Sequence, residues 1–334
     1  MRRRNEQAMA ETHKSKFRFV RAYLADYLGM AAALAGLIIY FTVKSERFFT
    51  SDNFLMIAGQ IPDRTIVAVG MTFVLIIAGI DLSVGSVMAL AGGVLGVCLV
   101  KFELGLSTAI AACLGVGLLC GAANGLVAIR WRLPSFIVTL GMLEIARGAA
   151  LLVTDSRTIY IGRPIEVVAE TSVLGLSLPF VIAVVIVAAG QLVLSRTVFG
   201  RYMIAIGTNE EAVRLSGINP SRIKLAVFIL CGFLTSVAAV IHTARMSSAD
   251  PRAGDGLELQ AIAAIVIGGT SLMGGRGSVI SSFLGVLIIA VLGNGLDRLD
   301  VKDPTKRIIT GCVIVAAVIL DYYRHRIGAR QKPV

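Results

Sequence analysis

The sequence predicts an all-α polytopic membrane protein with about ten transmembrane helices, on three observations. Of its 334 residues 56% are hydrophobic and only 16% charged, with a mean hydropathy of +0.81, whereas soluble domains carry about a quarter charged residues. Transmembrane strands announce themselves as alternating segments of about ten residues, and these are absent. Thirty-five glycines suit helices packed closely in lipid, where small side chains let backbones approach.

The formal net charge of +11 does not mark a nucleic-acid binder. The arginines and lysines sit in tails and connecting loops, as the positive-inside rule places them, and no basic stripe with interleaved aromatics occurs. The five cysteines (Cys98, Cys113, Cys120, Cys231 and Cys312) lie in apolar stretches without CxxC spacing, so they read as small packing residues rather than a disulfide or metal framework.

Residues 1–26 form a polar tail with seven basic side chains against three acidic ones, too long and mixed for a cleavable signal, with a short interfacial helix near Phe17–Tyr23. Span 1 covers Tyr27–Val43, and Lys44–Gln60 is a loop. Spans 2 and 3, Thr65–Gly79 and Ser86–Val100, are fifteen residues each. Helices of that length reach about 22 Å, less than the roughly 30 Å hydrocarbon core. The pair either crosses a thinned region or dips in and returns. Span 4 (Leu106–Ile129) ends on the basic anchor Arg130-Trp131-Arg132, and span 5 covers Ser135–Val153. In the following outer loop Arg157–Ile161 and Ile165–Val168 are expected to pair as short strands.

Span 6 is Leu178–Leu194. Residues 195–222 form a cytoplasmic loop carrying a short helix at Thr208–Leu215. Asn209 is its cap, Glu210 and Glu211 fill its first turn, Arg214 its last, and Gly217 stops it ahead of Pro220. Such a helix needs a partner to bury Val213 and Leu215. Span 7 (Ile223–Thr243) leads to an outer loop, Ala244–Gly256. Span 8 starts at Leu257 and stops at Gly268-Gly269; spans 9 and 10 are Val279–Leu296 and Ile308–Leu320, followed by a cytoplasmic tail from 322 to 334. Cytoplasmic segments then hold nineteen of the 32 lysines and arginines, which places both termini in the cytoplasm.

Two breaks interrupt the apolar runs. In Gly79–Gly85, Asp81, Ser83 and Gly85 stand where hydrocarbon disfavours them; in Gly268–Gly277 there are five glycines, with Gly269, Thr270, Ser271, Gly275 and Arg276 as the polar or turn-forming residues. Both read as turns near an inner gate, with Asp81 capping span 3; the alternative for the first is a break that also shapes a translocation path. Glu144 and Arg147, at i, i+3 in span 5, form either a structural ion pair or part of a pathway. Asn124, Gln191 and Asn294 are lone amides expected to join helices. No GxxxxGK[ST] phosphate loop, metal-ligand spacing or catalytic constellation is present, so the chain is expected to be a transport subunit, not an enzyme, and to bind no cofactor or metal itself.

Three stretches together resemble the permease subunits of ribose/xylose/galactoside-type bacterial ABC sugar importers, in the branched-chain amino acid/monosaccharide permease superfamily. They are Gly70-Met71-Thr72-Phe73-Val74 through Ala78-Gly79-Ile80-Asp81-Leu82-Ser83-Val84-Gly85-Ser86; Phe199-Gly200-Arg201 through Ala205-Ile206-Gly207-Thr208-Asn209-Glu210-Glu211-Ala212 with Ser216-Gly217-Ile218; and Ala261–Leu272 with Gly274-Gly275-Arg276-Gly277 and Asn294-Gly295-Leu296. Pro134–Gly141 is similar to the family's fifth span. Asp63-Arg64 departs from the pattern by its charge. The resemblance implies a bacterial inner-membrane permease within 27–321, paired with itself or a sister subunit. It implies ATP bound on separate cytoplasmic ATPase subunits and a periplasmic sugar-binding protein as partners. The family's ATPase-docking element falls on the Thr208–Gly217 helix. The substrate expected is a monosaccharide or small polyol; nucleosides or branched-chain amino acids, or a self-contained secondary transporter, are the alternatives.

Overall fold

The computed structural model describes residues 27–173 and 175–329. The expected N-terminal tail and its interfacial helix, with the last residues of the C-terminal tail, lie outside the described residues. Thirteen helices follow one another among the described residues: α1 Tyr27–Lys44, α2 Ser51–Gln60, α3 Pro62–Ile76, α4 Val84–Val100, α5 Leu106–Arg130, α6 Ser135–Val153, α7 Arg163–Glu170, α8 Leu178–Arg196, α9 Val198–Leu215, α10 Pro220–Met246, α11 Leu257–Ile267, α12 Val279–Arg298 and α13 Asp303–Ala329. Six of them (α1, α5, α6, α8, α10 and α12) are long and apolar enough to cross a bilayer. The protein is an all-α, multi-pass membrane protein.

Helix α10 is the axis of the bundle. Its 27 residues rise about 40 Å. Antiparallel to it, α5 presents Gly117, Gly121 and Gly125 on one face, and methyl groups there would overlap Gly232, Phe228 and Leu225. Lipid tails give apolar helices no reason to separate from solvent, so this close backbone contact carries the packing. On its other side α3 runs antiparallel, with Gly70 against Cys231. Almost every residue of α3 is buried, as befits a short helix enclosed by its neighbours. One end of the bundle carries α9, the C-terminus of α3 and the N-terminus of α12. The opposite end carries α2, the N-terminus of α3 and the C-terminus of α10.

Several expectations change. The Lys44–Gln60 loop contains α2, which Thr50 caps by accepting from the Asn53 N–H at 3.3 Å. The expected strand at Ile165–Val168 is helix α7, because Pro164 in its first turn has no N–H for a ladder and a φ suited to a helix. Ile159–Tyr160 pairs instead with Ser248–Ala249, and Ser172–Val173 with Leu176–Ser177. Helix α13 continues past Leu320 to Ala329.

The largest change concerns Ala244–Gly256, which is re-entrant rather than an outer loop. Ala249 packs on Gly96, whereas Gly254 packs on Gly85, eleven residues or about 16 Å deeper along α4. Two left-handed glycines, Gly254 (φ +72°) and Gly256 (φ +77°), make the turn. Arg147 donates to the Pro251 and Ala253 carbonyls at 2.7 and 3.0 Å, so backbone groups carried into the bundle are paired. Helix α11 therefore begins at depth, and its eleven residues cover only about half the hydrocarbon thickness.

Candidate functional site

Both sequence breaks and the loop helix meet at one junction. The chain leaves α3 at Ile76, whose carbonyl accepts from the Gly275 N–H at 2.9 Å. Gly207 of α9 lies against this bond, and a methyl there would overlap the Ile76 carbonyl and the Gly275 nitrogen. A methyl on Gly274 would stand 2.8 Å from Ala78 Cβ, and one on Gly275 2.6 Å from Thr208 Oγ1. Gly274 (φ +84°) and Gly275 (φ +73°) occupy the left-handed region, so glycine serves both the turn and the contact.

At this junction α9 kinks. Asn209 has φ −160° and ψ 94° inside the helix, and its Oδ1 accepts from the Ala212 N–H at 3.0 Å, starting a second helical segment as an N-cap does. That segment ends in a Schellman turn: Ile218 N–H reaches the Val213 carbonyl, Gly217 N–H reaches the Arg214 carbonyl, and Gly217 takes φ +82°. Glu211 pairs with Arg214 at 2.6 Å, which raises the guanidinium pKa further; Glu210 pairs with Lys224 of α10 at 2.5 Å. Val213 is already buried within the chain, whereas Leu215 is 79% exposed. In the second break Met273 is 85% exposed, and Arg276 is exposed as well. A cleft of about 460 Å³ runs between this segment and the first break, bounded by Ile77, Gly79, Ser135, Glu210, Arg214 and Lys224.

Within the first break, Asp81 does not cap α4. Its Oδ1 accepts from the Ser83 N–H at 2.9 Å and the Ser83 hydroxyl at 2.6 Å, on the residue just before α4 rather than on an N–H inside the helix. Asn124 Nδ2 donates to Ser83 Oγ at 2.9 Å, so a buried chain links α5 to the carboxylate. Thr139 and Ser135 of α6 hold the Leu82 and Ile80 N–H groups at 3.0 and 2.9 Å. Gly85 is not a turn residue; it admits the Gly254 carbonyl and Glu258. In the second break Gly269 (φ +80°) turns the chain. Ser271 N–H reaches the Arg276 carbonyl at 3.1 Å, and buried Thr270 lies 3.5 Å from Ser282 Oγ, which also accepts from Thr72 at 2.8 Å.

The Glu144–Arg147 pair is not formed. Arg147 turns instead to the re-entrant segment and bridges Asp255 at 2.5 Å. Its helix spacing made either choice available, and three oxygens on 251–255 outcompete one carboxylate. The sequence reading also missed a buried cluster at the opposite end. Asp63 is 3% exposed, with His242 Nδ1 at 2.7 Å and Arg245 Nη2 at 3.2 Å. Its sequence signals were the out-of-pattern charge of Asp63-Arg64 and the i, i+3 spacing of His242 and Arg245 on α10. The amides do join helices. Gln191 accepts from the Val279 N–H at 2.9 Å, capping α12 from α8. Asn294 accepts from Asn53 Nδ2 at 2.9 Å, and Arg298 donates to Asn53 at 2.8 Å.

Residues 53–318 match the family described as branched-chain amino acid transport system / permease component. A ribose import permease protein of Haemophilus influenzae is 42% identical over 296 residues, covering 87% of this chain and 91% of its own length. The ribose import permease protein of Escherichia coli K12 is 40% identical over 317 residues, covering 91% and 95%. A xylose transport system permease protein of the same strain is 34% identical over 355 aligned positions, covering 87% and 90%. No solved structure gives a significant match. The match reaches from α2 into α13 and takes in all three segments of the junction, so the chain belongs to the permease-component family of branched-chain amino acid transport systems.

Proposed function

We propose that the chain is the membrane subunit of an ATP-binding-cassette importer that carries a monosaccharide or related small polyol inward. One observation carries the reading: relatives aligned over nearly their whole length are import permeases for ribose and xylose, and a fructose import permease of Rhizobium meliloti is 32% identical. Ten crossings (α1, α3, α4, α5, α6, α8, α10, α11 with its re-entrant lead, α12 and α13) return the chain to the α9 end. We place that end and both termini in the cytoplasm of a bacterial inner membrane. The permease domain spans 27–321, between two cytoplasmic tails. ATP is bound by a partner ATPase, a second permease subunit completes the pathway, and a periplasmic binding protein delivers the sugar.

In this reading the second half of α9, with Asn209, Glu210, Glu211, Arg214 and Gly217, is the surface on which the ATPase docks. Exposed Leu215 and Met273 supply its apolar contacts. The junction passes ATPase movement to the two breaks, which form the inner gate. Uptake of labelled ribose, xylose, fructose, leucine and uridine by cells with and without the chain tests the reading. The expected result is chain-dependent uptake of at least one sugar. Chain-dependent uptake of leucine or uridine alone overturns it.

A further inference from the structure

The unformed Glu144–Arg147 pair leaves Glu144 with no hydrogen-bond or ion-pair partner among the described residues. Glu144 lies nine residues, about 14 Å, along α6 from Ser135, so it sits near mid-depth of a roughly 30 Å core. An unpaired carboxylate there is costly unless it faces water or protein. It faces a cleft of about 350 Å³ between α6 and the re-entrant segment, whose wall also includes Ser86, Arg147, Arg252, Asp255 and Glu258. Ser86 is 1% exposed, and its hydroxyl has no partner within the chain. Two polar groups from different helices, α4 and α6, are thus left unsatisfied at the rim of one cavity. Glu144 stands on the exposed side of α6, open to the cleft, whereas Ser86 is buried in its wall, and buried polar groups are ordinarily paired.

We propose that this cleft is a transit site for a neutral monosaccharide, in which Glu144 and Ser86 hydrogen-bond the sugar hydroxyls. The inference rests on the sugar-import reading and adds a place to it. Sugar hydroxyls both donate and accept. A carboxylate takes two donors, a serine hydroxyl does either, and neither requires charge on the ligand. In the lining Arg147 and Arg252 stand among Glu144, Asp255 and Glu258, and Arg147 bridges Asp255 at 2.5 Å while it clamps 251–255. The cleft is open and wet, and carriage requires weak, hydrated binding. Asp255 also lines a smaller cleft, of about 150 Å³, with Asp63, His242 and Arg245, so polar lining continues toward the opposite end of the bundle.

The test uses the full chain with its partner subunits in cells, reading uptake of labelled ribose, xylose and fructose and co-purification of the ATPase. Glu144→Gln and Ser86→Ala are each expected to lower uptake at least tenfold, or to change the preference among the three sugars, with ATPase co-purification unchanged. Wild-type rates and preferences in both variants overturn the transit site. Glu144→Cys supplies a second reading, with the parent chain's own five cysteines as background. Modification by a membrane-impermeant thiosulfonate and block of uptake support a water-filled cleft; modification only by a lipid-soluble maleimide overturns it. Failure of the parent chain to take up any of the three sugars overturns the import reading itself, an outcome distinct from a defect confined to the variants.

Discussion

Asp63 shows how one side chain can tie the bundle together. The carboxylate is shielded from solvent at the start of α3 and faces His242 and Arg245 from the last turn of α10. Removing it leaves a guanidinium with too little compensation in a poorly solvated place, and breaking such a pair typically costs about 3–5 kcal/mol. Asp63→Ala is therefore expected to lower the thermal unfolding temperature in detergent and the amount of chain in the membrane. An unchanged unfolding temperature would remove the tie. In the sequence this residue looked merely out of place beside Arg64, because its partners are 179 and 182 positions away. Asn209 was legible for the opposite reason: a cap bonds to the N–H three residues on, within reach of a local pattern. Asp81 was misread as a cap because a carboxylate just ahead of a helix ordinarily serves one, whereas its bonds stop at Ser83, which Asn124 of α5 also holds.

At the scale of elements, α9 was expected as a short helix in a polar loop, and it is an 18-residue helix with a joint at Asn209. Its first half holds Gly207 against the two breaks; its second half points Glu211, Arg214 and Leu215 outward. Reversing one charge, as Glu211→Arg or Arg214→Glu, is expected to cut sugar uptake at least fivefold without lowering membrane insertion. The double reversal rebuilds the pair within the helix but not its match to a docked ATPase. Wild-type uptake in the double variant would assign the pair to helix stability alone. Such exposed i, i+3 pairs contribute only a few tenths of a kcal/mol to a helix, so a large effect on uptake points to the partner. The re-entrant segment escaped the sequence reading because its polar, glycine-rich composition matches any exposed loop. Only the reach of Arg147 and the missing side chain of Gly85 reveal that it turns inward.

Across the whole molecule six long apolar spans were legible, since hydrocarbon imposes their length and composition. Their neighbours were not, because one apolar helix face resembles another and the selection is made by where glycines remove bulk. Gly207 and Gly115 illustrate the difference. A methyl on Gly115 meets nothing within 4 Å, while one on Gly207 overlaps backbone of two other segments. Gly115→Val is expected to leave uptake near that of the parent chain, and Gly207→Val to reduce it at least tenfold. Equal behaviour of the two would dismiss the junction as a transmitting contact.

The bare side chains of Leu215 and Met273, 79% and 85% exposed, have a consequence for the cell's economy. With the α9 end in the cytoplasm as proposed, and no ATPase docked, they would leave apolar side chains in the cytosol, of the sort that chaperones and proteases survey. Surplus copies of the permease would then be short-lived, and the number of importers would follow whichever subunit is made in the smaller amount.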